Sequence, residues 1–385
     1  MKCKILYLFP HHLPLSEASF VFELALEQIE KAKHLPHILF FEELVSIEIA
    51  KRKKIPFTVL ASPRKKFSFP WAKITRLYKI RKMIKDHHFN VTLAVGANHF
   101  LLMFVSTLFK NTKRIWINHG DSHWFADKIA YFLSCYVTLF FSNVVKEQSK
   151  NAFGIIPQGG YWKIPFAVYE QEIDEHELQE INQKFKNKKQ LIGMAGDICH
   201  ESGLMTFIDM VYQLKKTIDH DLFNKLTFIV LGIARNPKDL KFLKKLIDKI
   251  HQYQLDKDIH FLGEKTNQHT YLNAMDVLIF ANEKAYGVQK DLMQAILQNT
   301  LIITNDSSWP VEVIDNYLTG IRYQGKAQNP SLLLKDIIVN YIEKKPPLTT
   351  SKIESILVCA KEKILSDYNR EKMTQKFSEV FDTVN

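Results

Sequence analysis

The chain has 385 residues, of which 46% are hydrophobic and 24% charged, the composition of an ordinary globular protein of two or three domains. Only 13 Gly and 13 Pro exclude a collagen-like or low-complexity chain, and 4 scattered cysteines with no CxxC pair exclude a zinc ribbon or a disulfide-stapled miniprotein. The net charge of +11 is lopsided: residues 1–170 hold 24 Lys+Arg against 12 Asp+Glu, and residues 171–385 hold 28 against 29.

The N-terminus, MKCKILYLFP, carries too short an apolar run for a secretory signal. Its residues 4–9 read as a first strand, followed by a helical pattern over 17–33 and a strand at 38–41. From 49 to 85 there is no acid but 13 basic residues, interrupted by Phe67, Phe69, Pro70 and Trp71. Such a window attracts polyanions, and its aromatics suit the headgroup layer of an anionic membrane. A plain solvated lysine face and a nucleic-acid surface are the alternatives; no nucleic-acid-binding motif accompanies it. Strands are expected at 57–60, 91–95, 115–118 and 137–141, with a helix over 72–86. The longest uncharged stretch, 129–145, is 17 residues and contains Ser134, Thr138, Ser142 and Asn143. A membrane span needs about 20 strongly apolar residues. The expectation is a soluble, cytoplasmic chain, peripheral on the inner face of the cytoplasmic membrane.

A charged helix over 174–189, after Pro165, marks a break. Beyond it come strands at 191–195, 226–231, 259–262, 277–280 and 301–304, with helices over 204–216, 237–252 and 288–297 between them. The tail from 351 to 385 reads as helical. Strand alternating with helix implies parallel sheets covered on both faces. Six strands and then five predict an α/β protein of two doubly wound, Rossmann-like domains facing each other across a cleft. Their boundaries are set at 1–168 and 169–355, and residues 356–385 form a C-terminal helix packing back on the first domain. Ligands of such sheets sit beyond the carboxyl ends of the strands.

The loop after the tenth strand reads Asn282-Glu283-Lys284-Ala285-Tyr286-Gly287-Val288-Gln289-Lys290-Asp291-Leu292-Met293-Gln294-Ala295. It holds an acid, then Tyr-Gly, then a second acid eight positions after the first. Gly287 opens the helix, so free backbone N–H groups there can meet an anion. This pattern resembles the Glu-x7-Glu motif of retaining glycosyltransferases of family 4, which have the GT-B fold. Other segments resemble that family in order. They are Leu13-Pro14-Leu15-Ser16-Glu17-Ala18-Ser19-Phe20, Asn118-His119-Gly120-Asp121, Ile164-Pro165-Phe166-Ala167-Val168, Gly193-Met194-Ala195-Gly196-Asp197 with Ser202-Gly203-Leu204, and Phe261-Leu262-Gly263 with 271–276. The similarity covers most of the chain and is greatest to bacterial exopolysaccharide and lipopolysaccharide enzymes.

The resemblance implies a GT-B transferase with an acceptor-side first domain and a donor-binding second domain. It would move a sugar from a nucleotide sugar to a glycan or lipid-linked acceptor of bacterial surface polysaccharide, with retention of configuration and without a metal or other cofactor. Glu283 and His119 would be catalytic, Glu283 holding the donor sugar and His119 touching the sugar or β-phosphate. Tyr286, Gly287 and Val288 would present backbone N–H groups, Asp291 would bond the ribose, and Ser16 would line the acceptor side. Gly196, Asp197 and Ser202 occupy positions around the donor diphosphate. There the family has an Arg and a Lys where this chain has Asp197 and Ser202; Lys284, Lys290 or Arg235 are the nearby cations that would replace them. That departure keeps open a non-catalytic GT-B partner binding a glycan or polypeptide, and a sugar-nucleotide epimerase. The plainer alternatives for single residues are a helix-N-terminal acid for Glu283, a loop histidine for His119 and a solvated first-turn acid for Asp291.

His119-x-Asp121-x-His123 is a possible metal trio without a fourth ligand nearby, and Asp256-Lys257-Asp258 sits on a polar turn before a strand. No Walker loop, dinucleotide fingerprint or serine nucleophile elbow is present.

Overall fold

The structure is a computed structural model and describes residues 2–9, 20–31, 33–41, 45–60, 71–118, 129–130, 133, 135–143, 146–147, 159–186, 190–265, 267–282, 290–306 and 309–384. The chain divides into two compact units, Met1–Ala167 with Asn369–Asn385, and Val168–Ala285 with Gln289–Tyr368.

The first unit holds a parallel sheet of seven strands, β1 (Lys4–Leu8), β2 (Leu35–Phe40), β3 (Phe57–Val59), β4 (Val91–Val95), β5 (Lys113–Asn118), β6 (Val137–Phe140) and β7 (Tyr161–Lys163). Their order is β3-β2-β1-β4-β5-β6-β7, so the winding reverses between β1 and β4. Helices α1 (Phe20–Glu30), α2 (Val45–Arg52), α3 (Trp71–His87) and α4 (Ala97–Ser106) connect them. The central strands read as continuous apolar runs because both faces are covered: Ile5, Leu6, Tyr7 and Leu8 are all buried, as is the whole of β4. Trp116 on β5 stacks on Phe100 of α4 at 5.1 Å, in a core with Leu6, Leu8, Phe41 and Ile80.

The second unit opens with α5 (Glu175–Ile181), whose amino end is capped by Asp174 accepting from the Glu177 N–H at 3.0 Å. A π-turn, Asn182–Lys186, continues it. Then come β8 (Gln190–Ala195), α6 (Leu204–Thr217), α7 (His220–Phe223), β9 (Leu226–Leu231), α8 (Pro237–Gln252), β10 (Ile259–Gly263), α9 (Gln268–Ala274), β11 (Val277–Phe280), α10 (Lys290–Leu297), β12 (Leu301–Asn305), β13 (Ile321–Tyr323) and α11 (Pro330–Glu343). All neighbours pair in parallel, in the order β10-β9-β8-β11-β12-β13. Here the winding reverses between β8 and β11, where Val277 lies beside Ile192. Helix α6 turns Leu204, Phe207, Ile208, Val211 and Leu214 into the core. Each such side chain contributes about 1.5–3 kcal/mol on burial, so packing holds the helix.

The tail is two helices, α12 (Thr350–Asp367) and α13 (Arg370–Val384). The boundary expected at 355/356 falls inside α12, which the second unit keeps; the chain crosses to the first unit at 368/369. Within the first unit, α13 buries Met373, Phe377, Val380 and Phe381, and Arg370 lies 3.4 Å from Glu23 and 3.3 Å from Glu30. Two strands went unread in the sequence, β7 and β13. Each is a three-residue edge strand. Among the described residues no helix is long and apolar enough to cross a membrane.

Candidate functional site

The carboxyl edge of the second sheet is built around its reversal point, where ligands of doubly wound sheets bind. Strands β8 and β9 run into glycines, Gly196 and Gly232, and a Cβ built on Gly232 would fall on the carbonyl oxygen of Gly196. Only glycine lets the two strand ends touch, and the φ of +143° at Gly232 is open to it alone. Ladder bonds continue past the ends: Gly196 N–H donates to Leu231 O, Gly232 N–H to Gly263 O and Ile198 N–H to Ile233 O, each at 3.0 Å. Among the described residues nothing stands in front of Gly196: an added Cβ would meet no other described atom within 4 Å.

Beyond Gly196 the chain makes a short turn at His200–Ser202 and enters α6 through Gly203. Ser202 is absorbed by that turn. Its hydroxyl donates to Cys199 O at 2.6 Å and its N–H to the same oxygen at 3.1 Å. Gly203 has φ +76°, and a Cβ on it would strike the carbonyl oxygen of Ala281, just past β11. The start of α6 is thereby pressed against the neighbouring strand end at the reversal point. Gly203 has no side chain to cap it and no described side chain is seen to do so, so its first N–H groups keep their partial positive charge.

A charged cluster lies on the loops that follow β8, β9 and β10. Arg235, three residues past Gly232, donates from Nε to Asp197 Oδ1 at 2.7 Å and from Nη2 to Glu264 Oε1 at 3.1 Å. The three side chains are 41%, 48% and 56% exposed, so each pair contributes about 0–1 kcal/mol to stability. Burial works against the guanidinium's charge, but the two carboxylates outweigh it and hold Arg235 more firmly protonated than a free arginine. One cation thus serves two anions.

Asp291 and Lys290 form the first turn of α10. Burial pushes the Asp291 carboxyl above its ordinary value. A hydrogen bond from the Gln268 side chain and the charge of Lys290 pull it back, while the charge of Asp197 pushes it further up. Asp197 and Asp291 therefore share one electrostatic neighbourhood. One turn on, Gln294 is buried and neither atom of its amide has a partner among the described residues; the same holds for Asn282 Oδ1. The Asn282 carbonyl accepts from Asn305 Nδ2 at 2.8 Å, which ties the exit of β11 to the end of β12.

Five residues picked from the sequence are thus on this edge: Gly196, Asp197, Ser202, Lys290 and Asp291. Glu283, Tyr286, Gly287, Val288, His119 and Ser16 lie outside the described residues. Sequence reasoning missed Glu264, Gln268 and Gly232, and considered Arg235 only as a reserve of charge. Gly232, Arg235 and Glu264 stand in loops that begin at a strand's carboxyl end, and Gln268 opens the helix that follows one of them; that placement is the one signal that selects them. Among the described residues no group of three or more His, Cys, Asp or Glu could hold a metal ion.

Residues 175–345 match the family described as Glycosyl transferases group 1. No curated protein matches the chain. Among solved structures, a glycosyltransferase from Rickettsia africae ESF-5 is similar at 15% identity over 100% of this chain and 98% of its own, with a TM-score of 0.78. Anabaena Alr3699/HepE in complex with UDP-glucose is similar at 15% identity over 99% of both chains, with a TM-score of 0.79. The lipopolysaccharide outer core galactosyltransferase WaaB is similar at 14% identity over 100% and 99%, with a TM-score of 0.68. Residues 175–345, nearly all of the second unit, match that family's model, and the chain shares the GT-B fold of these structures, with two Rossmann-like parallel-sheet units.

Proposed function

We propose that the protein transfers a sugar from a nucleotide-sugar donor to a hydroxyl of a glycan or lipid-linked acceptor of bacterial surface polysaccharide, with retention of configuration and without a metal. The observation that carries this reading is the uncapped start of α6, pressed by Gly203 against the end of β11 at the reversal point of the second sheet. Departure of a nucleoside diphosphate places negative charge on its outer phosphate, and fixed N–H dipoles at a helix start stabilise that charge as it forms. The UDP-glucose bound by the Anabaena neighbour supports a donor of this class. Asp291, held by Gln268, is the proposed partner of the ribose hydroxyls. Glu283 is the proposed acid for the donor sugar, His119 reaches the sugar or β-phosphate, Tyr286, Gly287 and Val288 offer backbone N–H groups, and Ser16 lines the acceptor side. These last assignments follow the family motif.

Exchange of Glu283 for Ala is the direct test. Transfer from the nucleotide sugar falls by about 100-fold or more while thermal unfolding stays unchanged; undiminished turnover overturns the assignment. A second reading, a non-catalytic partner that binds a glycan or polypeptide, is favoured by one observation: Asp197 and Glu264 outnumber Arg235 at the donor edge. Thermal unfolding against a panel of nucleotide sugars separates the two, since a donor raises the midpoint in proportion to ln(1 + [L]/Kd) and a protein without a donor site responds to none.

The first unit supplies a membrane-facing surface in this reading. Lys51, Arg52, Lys53 and Lys54 at the end of α2 are exposed, as are Lys79, Lys82 and Lys85 on α3 beside Tyr78, itself 67% exposed. A surface of this charge suits peripheral attachment to the cytoplasmic leaflet.

A further inference from the structure

We propose that Arg235 is the cation that meets the donor's diphosphate, and that Asp197 and Glu264 hold its guanidinium in place while the site is empty and release it when the anion enters. The inference rests on the glycosyltransferase reading and adds to it a residue and an exchange of partners.

Position is the first argument. Arg235 follows β9, which pairs with β8, and Asp197 follows β8 directly at the reversal point. Contact between Gly196 and Gly232 draws these two loops together, and among the described residues nothing stands in front of Gly196. An anion seated at the uncapped start of α6 lies a few residues along the chain from the carboxylate that Arg235 grips.

Chemistry is the second. A guanidinium has five N–H groups in a planar fork, and among the described residues Arg235 commits two of them. That fork matches phosphate oxygens two at a time, and a diphosphate carries more charge than either carboxylate. The carboxylates are half exposed, so water satisfies them once released. These bonds are too weak to account for the fold, and an incoming anion can displace them.

Charge is the third. Lys265, beside Glu264, lies over the Tyr271 ring at 5.5 Å, and Lys290 stands beside Asp291. The described loops here hold the acids Asp197, Glu201, Glu264 and Asp291 against the bases Arg235, Lys265 and Lys290. An anion entering this edge does best by displacing an acid from a base. Hence removing the charge of Asp197 should strengthen anion binding, the reverse of what a simple ligand contact would do.

The test is calorimetric titration of the full chain with UDP and with uridine, and with GDP, ADP and dTDP against their nucleosides, alongside thermal unfolding. For whichever diphosphate the wild type binds, Arg235→Ala weakens binding about tenfold or more and leaves nucleoside binding unchanged. Arg235→Lys falls between the two, because it keeps the charge and loses the fork. Asp197→Asn tightens the diphosphate severalfold, with an unfolding midpoint near that of the wild type. Diphosphate affinity unchanged in Arg235→Ala, or equal weakening of diphosphate and nucleoside, overturns the role of Arg235. Weaker diphosphate binding in Asp197→Asn overturns the exchange. A folded wild type that binds none of the panel overturns both the proposal and the reading beneath it.

Discussion

A carboxylate inside a protein is costly unless something holds its charge. At Asp291 burial outweighs the help from Gln268 and Lys290, and the nearby Asp197 adds to the cost. The folded protein therefore holds this proton more tightly than the unfolded chain. The stabilisation that protonated Asp291 contributes is full below the ordinary value of 3.8 and is lost as pH rises toward the raised folded value. Asp291→Asn removes that dependence. At pH 7 the variant should unfold at a higher temperature than the wild type, with the gain shrinking as pH falls toward the ordinary value of 3.8; a gain that is constant with pH would dismiss the buried-charge account. If Asp291 also bonds the ribose, the same variant loses nucleotide affinity while it gains stability, the trade expected of a strained binding residue.

The helix start at α6 shows how one residue type sets the geometry of an element. Gly203 adopts a left-handed φ of +76°, and its missing Cβ leaves room for the Ala281 carbonyl. Gly203→Ala brings two penalties. The left-handed backbone costs about 1–2 kcal/mol for a residue with a Cβ, and the methyl collides with backbone, which cannot move aside as a side chain would. We expect a loss of at least about 2 kcal/mol in stability, read from denaturant unfolding as a lower midpoint with an unchanged slope. An alanine variant of wild-type stability would mean that α6 does not sit against the end of β11. In sequence, Ser202-Gly203-Leu204 carries the family resemblance at the start of a helical pattern. That this start meets β11, some 80 residues on, is a tertiary fact.

Over the whole chain the charge divides sharply: the excess of bases lies before residue 170, and the remainder is near neutral. Each Lys or Arg near an anionic leaflet contributes about 1 kcal/mol, so three exposed lysines on α3 are enough to alter binding measurably. We expect the chain to sediment with vesicles containing phosphatidylserine and to be released as salt rises, since the field decays within about 10 Å at 0.1 M. Replacing Lys79, Lys82 and Lys85 with Glu should lower the bound fraction at least tenfold. Binding that is indifferent to salt and to these three residues would remove the membrane surface from the account.

The sequence by itself determined the layered α/β plan, because apolar runs such as LTFIVL in β9 and helical periods such as that of α8 are local signals that need no partner to be read. The resemblance to the family's motifs also pointed to Asp197 and Asp291. Three matters only the tertiary structure decided. Edge strands β7 and β13 exist because β6 and β12 offer them an open ladder. The Asp197–Arg235–Glu264 cluster joins three loops separated by 29 to 38 residues, and their spacing carries no motif. Lastly, the tail was expected to return to the first unit from 356, but it divides at 368/369, because α12 stays with the second unit and only α13 joins the first. A local pattern reports which face of an element is apolar; which surface covers that face depends on every other element in the fold.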